Sequence, residues 1–292
     1  LKKKKNQQKE KEGDQEKTKS KSMREPKLGV AVGKKGVGKT YITNQMIRSY
    51  VKGNPSKGVK PRKALILDVN DEYTDIKGLR LRDVIKFSAH PTIEARRIRP
   101  FNDDGMRMTL KEIQNCLFQI LNDYRGGLLL IEDINRYISD HLPNDLVGAI
   151  CTNRHTDTDI IMHFQSIGRV TSKIWQNLNW VRFHKNTDSV DRHIKKFEDK
   201  FEYLKIAEIM INTQYYNGNE RFFLFVDVDA EKILGDFDRK LLDQAIDDYI
   251  EKYYRKIISP LLQQRDLKGK KKFTQATAVQ FVRDRIVKNY CS

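Results

Sequence analysis

The stretch that most constrains this chain is Val30-Ala31-Val32-Gly33-Lys34-Lys35-Gly36-Val37-Gly38-Lys39-Thr40. An apolar run leads into G-x-x-x-x-G-K-T, the pattern of a phosphate-binding P-loop. Gly33, Gly36 and Gly38 let the backbone turn tightly and aim its N–H groups at phosphate oxygens, with Lys34, Lys35 and Val37 filling the loop between them. A helix from about Lys39 to Tyr50 points its positive end at the same place. The loop therefore predicts binding of ATP, with Lys39 on the outer phosphates and the Thr40 hydroxyl on Mg²⁺. A structural Gly-rich turn is the competing reading, but it requires neither the strand before nor the helix after, and both are present.

Two further apolar runs end in carboxylates. Ala64–Val69 is followed by Asn70-Asp71-Glu72-Tyr73. Ligands of open α/β sheets lie beyond the carboxyl ends of the strands, so Asp68 and Glu72 are expected either near the nucleotide and its water or as turn and cap residues. Leu128-Leu129-Leu130-Ile131 reads as a strand buried on both faces, and Glu132-Asp133 at its end reads as a Walker B pair. The first carboxylate of such a pair holds Mg²⁺, directly or through water, and the second orients or deprotonates the attacking water. The usual order is Asp then Glu; the inversion here leaves the division of roles open.

Between these landmarks, residues 74–108 are Arg-rich and read as short strands and loops, with a possible edge hairpin. Thr109-Leu110-Lys111-Glu112 is a capping box whose helix stops at Gly126-Gly127. A helix is expected from Pro143 to Asn153. Ile160–Gln165 is another apolar strand, and Gln165 at its end would sit beside the γ-phosphate. Arg154, just before that strand, suits an arginine finger inserted into a neighbouring subunit, with Arg169 as the rival candidate and a surface ion pair as the bland alternative. His155 and His163 read as structural.

Trp180–His184 predicts a fifth strand, followed by a helix with Val190, Ile194, Phe197, Phe201 and Leu204 on one stripe. Asn217-Gly218 predicts a hairpin turn between strands Ile209–Tyr216 and Arg221–Val228. From Asp236 the pattern is helical, ended by Pro260. Lys268–Lys272 reads as a basic hinge, and Thr274–Tyr290 as a last helix with Arg283, Arg285 and Lys288 outward. The division is a basic disordered or helical arm (1–26), a P-loop domain (27–235) and a basic helical appendage (236–292).

The net charge is +17, but residues 1–27 carry 11 Lys/Arg against 5 Asp/Glu and residues 252–292 carry 11 against 2, which leaves the middle with only +2. Basic ends around a near-neutral core suggest a polyanion partner, most directly nucleic acid; lysine tails that only confer solubility are the alternative. Only two acids in 252–292 argue against a nuclease there. No run approaches ~18 apolar residues, so no membrane segment is expected. The N-terminal stretch is charged throughout and shows no secretory leader, although the chain begins at Leu1 rather than Met. Cys116, Cys151 and Cys291 are unclustered, which suits a reducing, cytoplasmic setting.

Taken together, Gly33–Thr40, the strand with Asp68-Val69-Asn70-Asp71-Glu72-Tyr73, the Glu132-Asp133 strand, and Arg154 before the strand ending at Gln165 resemble the FtsK–HerA superfamily of P-loop motor ATPases. The compact loop with Lys34 and Lys35 is similar to that of phage genome-packaging ATPases. The resemblance covers about residues 27–186. It implies a RecA/ASCE-like P-loop NTPase fold: a largely parallel central sheet flanked by helices, here with a C-terminal hairpin and a small helical appendage. It implies a ring of five or six subunits around double-stranded DNA, nucleotide at each subunit interface, a possible portal protein, and a host cytoplasm if the chain is viral. An export or conjugative ATPase of the same fold and a slowly hydrolysing, nucleotide-gated nucleic-acid scaffold are the competing functions.

Overall fold

Apolar runs without alternation must be covered on both faces, and here they form the centre of a parallel sheet. The computed structural model describes residues 24–138, 144–152 and 155–291. Strands β1 (Leu28–Val32), β2 (Lys63–Leu67), β3 (Ala95–Ile98), β4 (Gly127–Ile131), β5 (Asp159–Phe164), β6 (Trp180–His184), β7 (Phe223–Asp227) and β8 (Lys232–Leu234) form one eight-stranded sheet in the order β3-β2-β4-β5-β1-β6-β7-β8. Pairing is parallel from β3 to β6, and antiparallel between β6, β7 and β8. Every residue of β1, β2, β4 and β5 is buried, whereas β7 alternates between buried and half-buried, as suits a ribbon at the sheet's edge.

The helices are α1 (Lys39–Lys52), α2 (Val84–Ala89), α3 (Leu110–Asp123), α4 (Asn144–Cys151), α5 (Ser172–Asn177), α6 (Ile194–Phe197), α7 (Phe201–Tyr216), α8 (Arg239–Lys252), α9 (Tyr254–Ile257), α10 (Ser259–Gln263) and α11 (Gln275–Tyr290). On one face, Ile47 of α1 packs with Ala64, Ile66, Leu128, Leu130 and Ile161. The other face holds the larger core, which runs from Val30, Leu65 and Leu129 through Leu117, Trp175, Leu204 and Ile246 to Val282 and Ile286. The C-terminal helices therefore share this core with the sheet. Each fully buried Leu, Ile or Val contributes about 1.5–3 kcal/mol relative to exposure.

Several segments differ from the sequence reading. Ile209–Tyr216 is the second half of helix α7 rather than a strand. Tyr203, Leu204, Ile206, Ala207, Met210 and Ile211 recur at helical spacing and are all buried. Asn217 closes that helix, and Gly218 at φ 92° follows with its N–H on Tyr215 O. The Asn-Gly pair thus serves a helix end rather than a hairpin turn. The C-terminal hairpin exists, but it is β7–β8, turning at residues 228–231. The stripe from Val190 to Leu204 is broken at Glu198 (φ 44°), which separates α6 from α7. Pro260 stands in the first turn of α10 instead of ending a long helix. The Arg-rich stretch contains α2 and the parallel edge strand β3, with a single antiparallel bridge, Phe101 to Arg107. The Thr109–Glu112 capping box forms as expected.

The register fixes the site. Val32 is level with Phe164 and Phe183, and Ile131 is level with Leu67 and Met162. Glu132 and Asp133 therefore emerge at the same sheet edge as the loop after β1, with β5 between the two strands.

Candidate nucleotide site

The loop between β1 and α1 is anchored at both sides. Gly33 N–H donates to Phe164 O of β5 (3.2 Å), and Lys34 N–H donates to Lys185 O after β6 (2.8 Å). Val37 is buried beneath the loop. Gly38 caps α1 in the left-handed region (φ 86°), which a side chain would make costly. A Cβ at Gly33 would lie 2.7 Å from His184 Cβ, so this position is closed to any larger residue. The Lys34 ammonium donates to the Tyr215 hydroxyl at the end of α7 (2.5 Å).

Lys39 is 9% exposed, and its ammonium donates to Gly33 O (2.5 Å) and Lys34 O (2.9 Å). Burial lowers its pKa, opposed most strongly by Asp133 and more weakly by Glu72 and Glu132. The lysine thus lies in the field of the acids that the register brings across. The Thr40 hydroxyl donates to Glu72 Oε2 (2.9 Å). Glu72 is placed by Asp68, which is fully buried and accepts Glu72 N–H (2.9 Å), Tyr73 N–H (3.1 Å) and the Arg97 guanidinium (2.8 Å). Of the pair after β2, Asp68 builds the turn and Glu72 reaches the loop.

The two Walker B candidates occupy different surroundings. Glu132 is 2% exposed, and its Oε2 has no hydrogen-bond partner. Burial, reinforced by Asp68, Glu72 and Asp133, pushes its pKa up to about 9. Asp133 is half-buried, sits in the left-handed region (φ 39°), and accepts a hydrogen bond from Asn70 (2.9 Å), itself bonded to Arg136 (2.7 Å). Glu132 is thus buried in dry surroundings that favour its neutral form, whereas Asp133 lies in a polar and accessible place.

Mg²⁺ suits this donor set. Among the described residues no group of three or more His, Cys, Asp or Glu could hold a metal by itself. A P-loop does not need one, because Mg²⁺ keeps waters and substrate phosphate oxygens and takes one or two protein ligands. The orphaned Glu132 oxygen, Thr40 and Glu72 provide hard oxygen donors where the acids repel one another.

The remaining predicted residues divide. Gln165 is exposed immediately after β5, one residue beyond the carbonyl that anchors Gly33. Lys35 and Gly36 are exposed at the loop tip. Arg169 is exposed in the helical turn Ile167–Arg169, at the carboxyl end of β5. Arg154 lies outside the described residues, as do most of the N-terminal arm and both Asn153 and Pro143.

The sequence reading missed a buried layer under the loop. Arg182 of β6 is fully buried and donates to Lys39 O (2.9 Å), to His184 Nε2 (3.1 Å) and to the Thr43 hydroxyl. Burial lowers its pKa to about 10, and among the described residues no carboxylate pairs with it. Thr43 also meets His163 Nε2 (2.8 Å), whose other nitrogen lies 4.0 Å from Glu132. Burial and the Arg182 charge hold both His163 and His184 neutral, with the His184 pKa down to about 2. The available signal was an arginine in the middle of the apolar strand Trp180-Val181-Arg182-Phe183-His184.

No known protein-family profile matches the chain, and no curated protein does. Among solved structures it is similar to the genome packaging NTPase B204 from Sulfolobus turreted icosahedral virus 2 in complex with AMP, at 16% identity over 74% of this chain and 99% of that one, with a TM-score of 0.47. It is also similar to the N-terminal domain of zonular occludens toxin from Neisseria meningitidis (11% identity, 55% of this chain and 76% of that one, TM-score 0.31). A third likeness is to the Legionella pneumophila ATPase DotB (11% identity, 80% of this chain and 54% of that one, TM-score 0.34). Each of these TM-scores lies below 0.5, and the fold is read from the chain's own sheet order and loop. A largely parallel sheet with the glycine loop after β1, and with the acidic strand β4 separated from β1 by β5, is the α/β arrangement of a P-loop NTPase.

Proposed function

We propose that this chain is a Mg²⁺-dependent ATP hydrolase that drives double-stranded DNA, most directly a viral genome-packaging ATPase working as a homo-oligomeric ring of five or six subunits. The observation that carries the reading is the convergence of Lys39 and Thr40 with Glu72, Glu132 and Asp133 at one end of the sheet. Lys39 would leave the carbonyls of Gly33 and Lys34 for the outer phosphates, and the loop N–H groups would hold the rest. Thr40 and Glu132 would hold Mg²⁺, which neutralises charge on the transferred phosphoryl group. Asp133, the accessible carboxylate, would orient the attacking water. Gln165 would report the γ-phosphate, and Arg154 or Arg169 would complete the site of a neighbouring subunit.

A DNA contact is supported by the turn at residues 264–272. Asp266 caps it through Lys268 N–H and Lys270 N–H (2.8 Å each), and Lys272 N–H closes it onto Gln264 O (3.0 Å). It is therefore a bonded turn, not a free hinge, and it presents Lys268, Lys270, Lys271 and Lys272 to solvent. Arg283 and Arg285 of α11 are instead engaged with Asp243, Asp247 and Glu202. Phosphate contacts from such lysines are independent of sequence and weaken with salt, which suits a translocating motor. Among the described residues no helix is long and apolar enough to cross a membrane.

ATP turnover measured with and without duplex DNA, alongside particle size, tests the proposal. DNA-stimulated hydrolysis by a ring supports it, and Lys39→Ala should abolish turnover. Hydrolysis indifferent to DNA would favour the nucleotide-gated scaffold, and normal turnover in Lys39→Ala would overturn the site.

A further inference from the structure

We propose that the cavity between the α7–β7 turn and the β8–α8 turn is the nucleoside subsite of this loop, receiving the base and ribose of the nucleotide, with Arg221 at its junction with the phosphates. The inference rests on the reading of Gly33–Thr40 as a nucleotide loop. The cavity measures about 580 Å³, and its walls include Gln214, Arg221, Phe222, Phe223, Asp236 and Phe237. That size falls within the range of small-molecule sites, which combine apolar walls with a few placed polar groups.

Two of these walls abut the loop itself. The Arg221 stem lies against Gly38, where an added Cβ would be 3.8 Å from Arg221 Cγ and 3.9 Å from Cδ. Phe223 stacks on His184 with ring centroids 5.2 Å apart, and His184 Cβ is the atom that closes Gly33 to a side chain. A ligand whose phosphates occupy the loop thus has this cavity directly alongside.

The polar groups in the cavity have work left to do. Arg221 and Asp236 are exposed, and among the described residues neither side chain has a hydrogen-bond or ion-pair partner. A planar guanidinium matches phosphate oxygens with a fork of donors. A carboxylate repels phosphate but accepts hydrogen bonds from ribose hydroxyls or an exocyclic amine. Phenylalanine faces offer a base a stacking surface that does not read its edge. Arginine beside the loop, with a carboxylate and aromatic rings among the cavity's other walls, supplies a partner for each part of a nucleotide; a free polyanion would meet the carboxylate unfavourably.

The test compares equilibrium binding of ATP and of inorganic tripolyphosphate, both with Mg²⁺, to the full chain. Asp236→Ala is expected to weaken ATP about tenfold, the worth of a hydrogen bond to a charged group, and to leave tripolyphosphate unchanged. Arg221→Gln is expected to weaken both ligands by a similar factor. Phe237→Leu, which keeps an apolar side chain against the core, is a second probe and should lower the ATP-to-tripolyphosphate preference. An unchanged preference in both Asp236→Ala and Phe237→Leu, or a parent chain that binds tripolyphosphate as tightly as ATP, would overturn the subsite while leaving the phosphate loop standing. A parent chain that binds neither would overturn the loop and the subsite together.

Discussion

Replacing Glu132 with Gln should make the nucleotide-free protein more stable while destroying its turnover. Burial and three neighbouring acids raise the pKa of this carboxyl from 4.5 to about 9. The sign follows from proton counting: between these two values the folded state keeps a proton that the unfolded state releases, so stability falls as pH rises through that window. At pH 7 the penalty is about 3 kcal/mol, from 1.36 kcal/mol per pH unit above the unfolded pKa. Glutamine carries no such penalty. Its midpoint by thermal unfolding should therefore exceed the parent's by roughly 5 °C at pH 7, and by only about 1 °C at pH 5, which lies just half a unit above the unfolded pKa. Scanning calorimetry or circular dichroism at pH 5, 6, 7 and 8 without nucleotide measures the series. Mg²⁺ with nucleotide should then stabilise the parent more than the variant, because only the parent offers a carboxylate. A shift that is negative, or constant across the pH series, would refute the claim that Glu132 is strained by desolvation and like charge.

Other outcomes follow from neighbouring groups. Arg97→Met strands the Asp68 carboxylate in a dry site; the loss should be about 3–5 kcal/mol in urea unfolding, and the Glu72 turn should loosen with it. Replacing Lys268, Lys270, Lys271 and Lys272 with Gln should reduce the slope of log affinity for duplex DNA against log salt by up to about 3–4, with basal ATP turnover unchanged. Gly33→Ala places a methyl group against His184 and the Lys185 carbonyl, and should lower nucleotide affinity measured by titration more than tenfold, with little change in circular dichroism.

What could be read from residues alone was whatever local chemistry dictates. The glycine loop, the apolar strands ending in Glu132-Asp133 and Gln165, and the Thr109 capping box each depend on side chains within a few positions of one another. Elements governed by packing were harder. In α7, the β-branched and aromatic residues of 209–216 resemble a strand, and it is the buried run from Tyr203 to Ile211 that fixes the element as a helix. Asn217-Gly218 is equally good chemistry for a hairpin and for a helix end, and tertiary contacts decide between them. The division of labour between Asp68 and Glu72 rests on Arg97, which arrives from β3 some thirty positions later. Arg182 was invisible as a site residue because its partners lie on α1, more than a hundred residues away, and are backbone and neutral groups rather than acids.

Helix α7 has one further consequence. Its sixteen residues make a rod about 24 Å long. At its far end Tyr215 grips Lys34 of the phosphate loop, and in its first turn Glu202 takes Arg285 (2.6 Å) and the Tyr290 hydroxyl (2.8 Å) of α11. α11 is the helix that follows the lysine turn. The glycine loop and the C-terminal half of α11 are thus tied to opposite tips of a single stiff strut, so drawing Lys34 onto an anion unloads one tip while the other stays clamped.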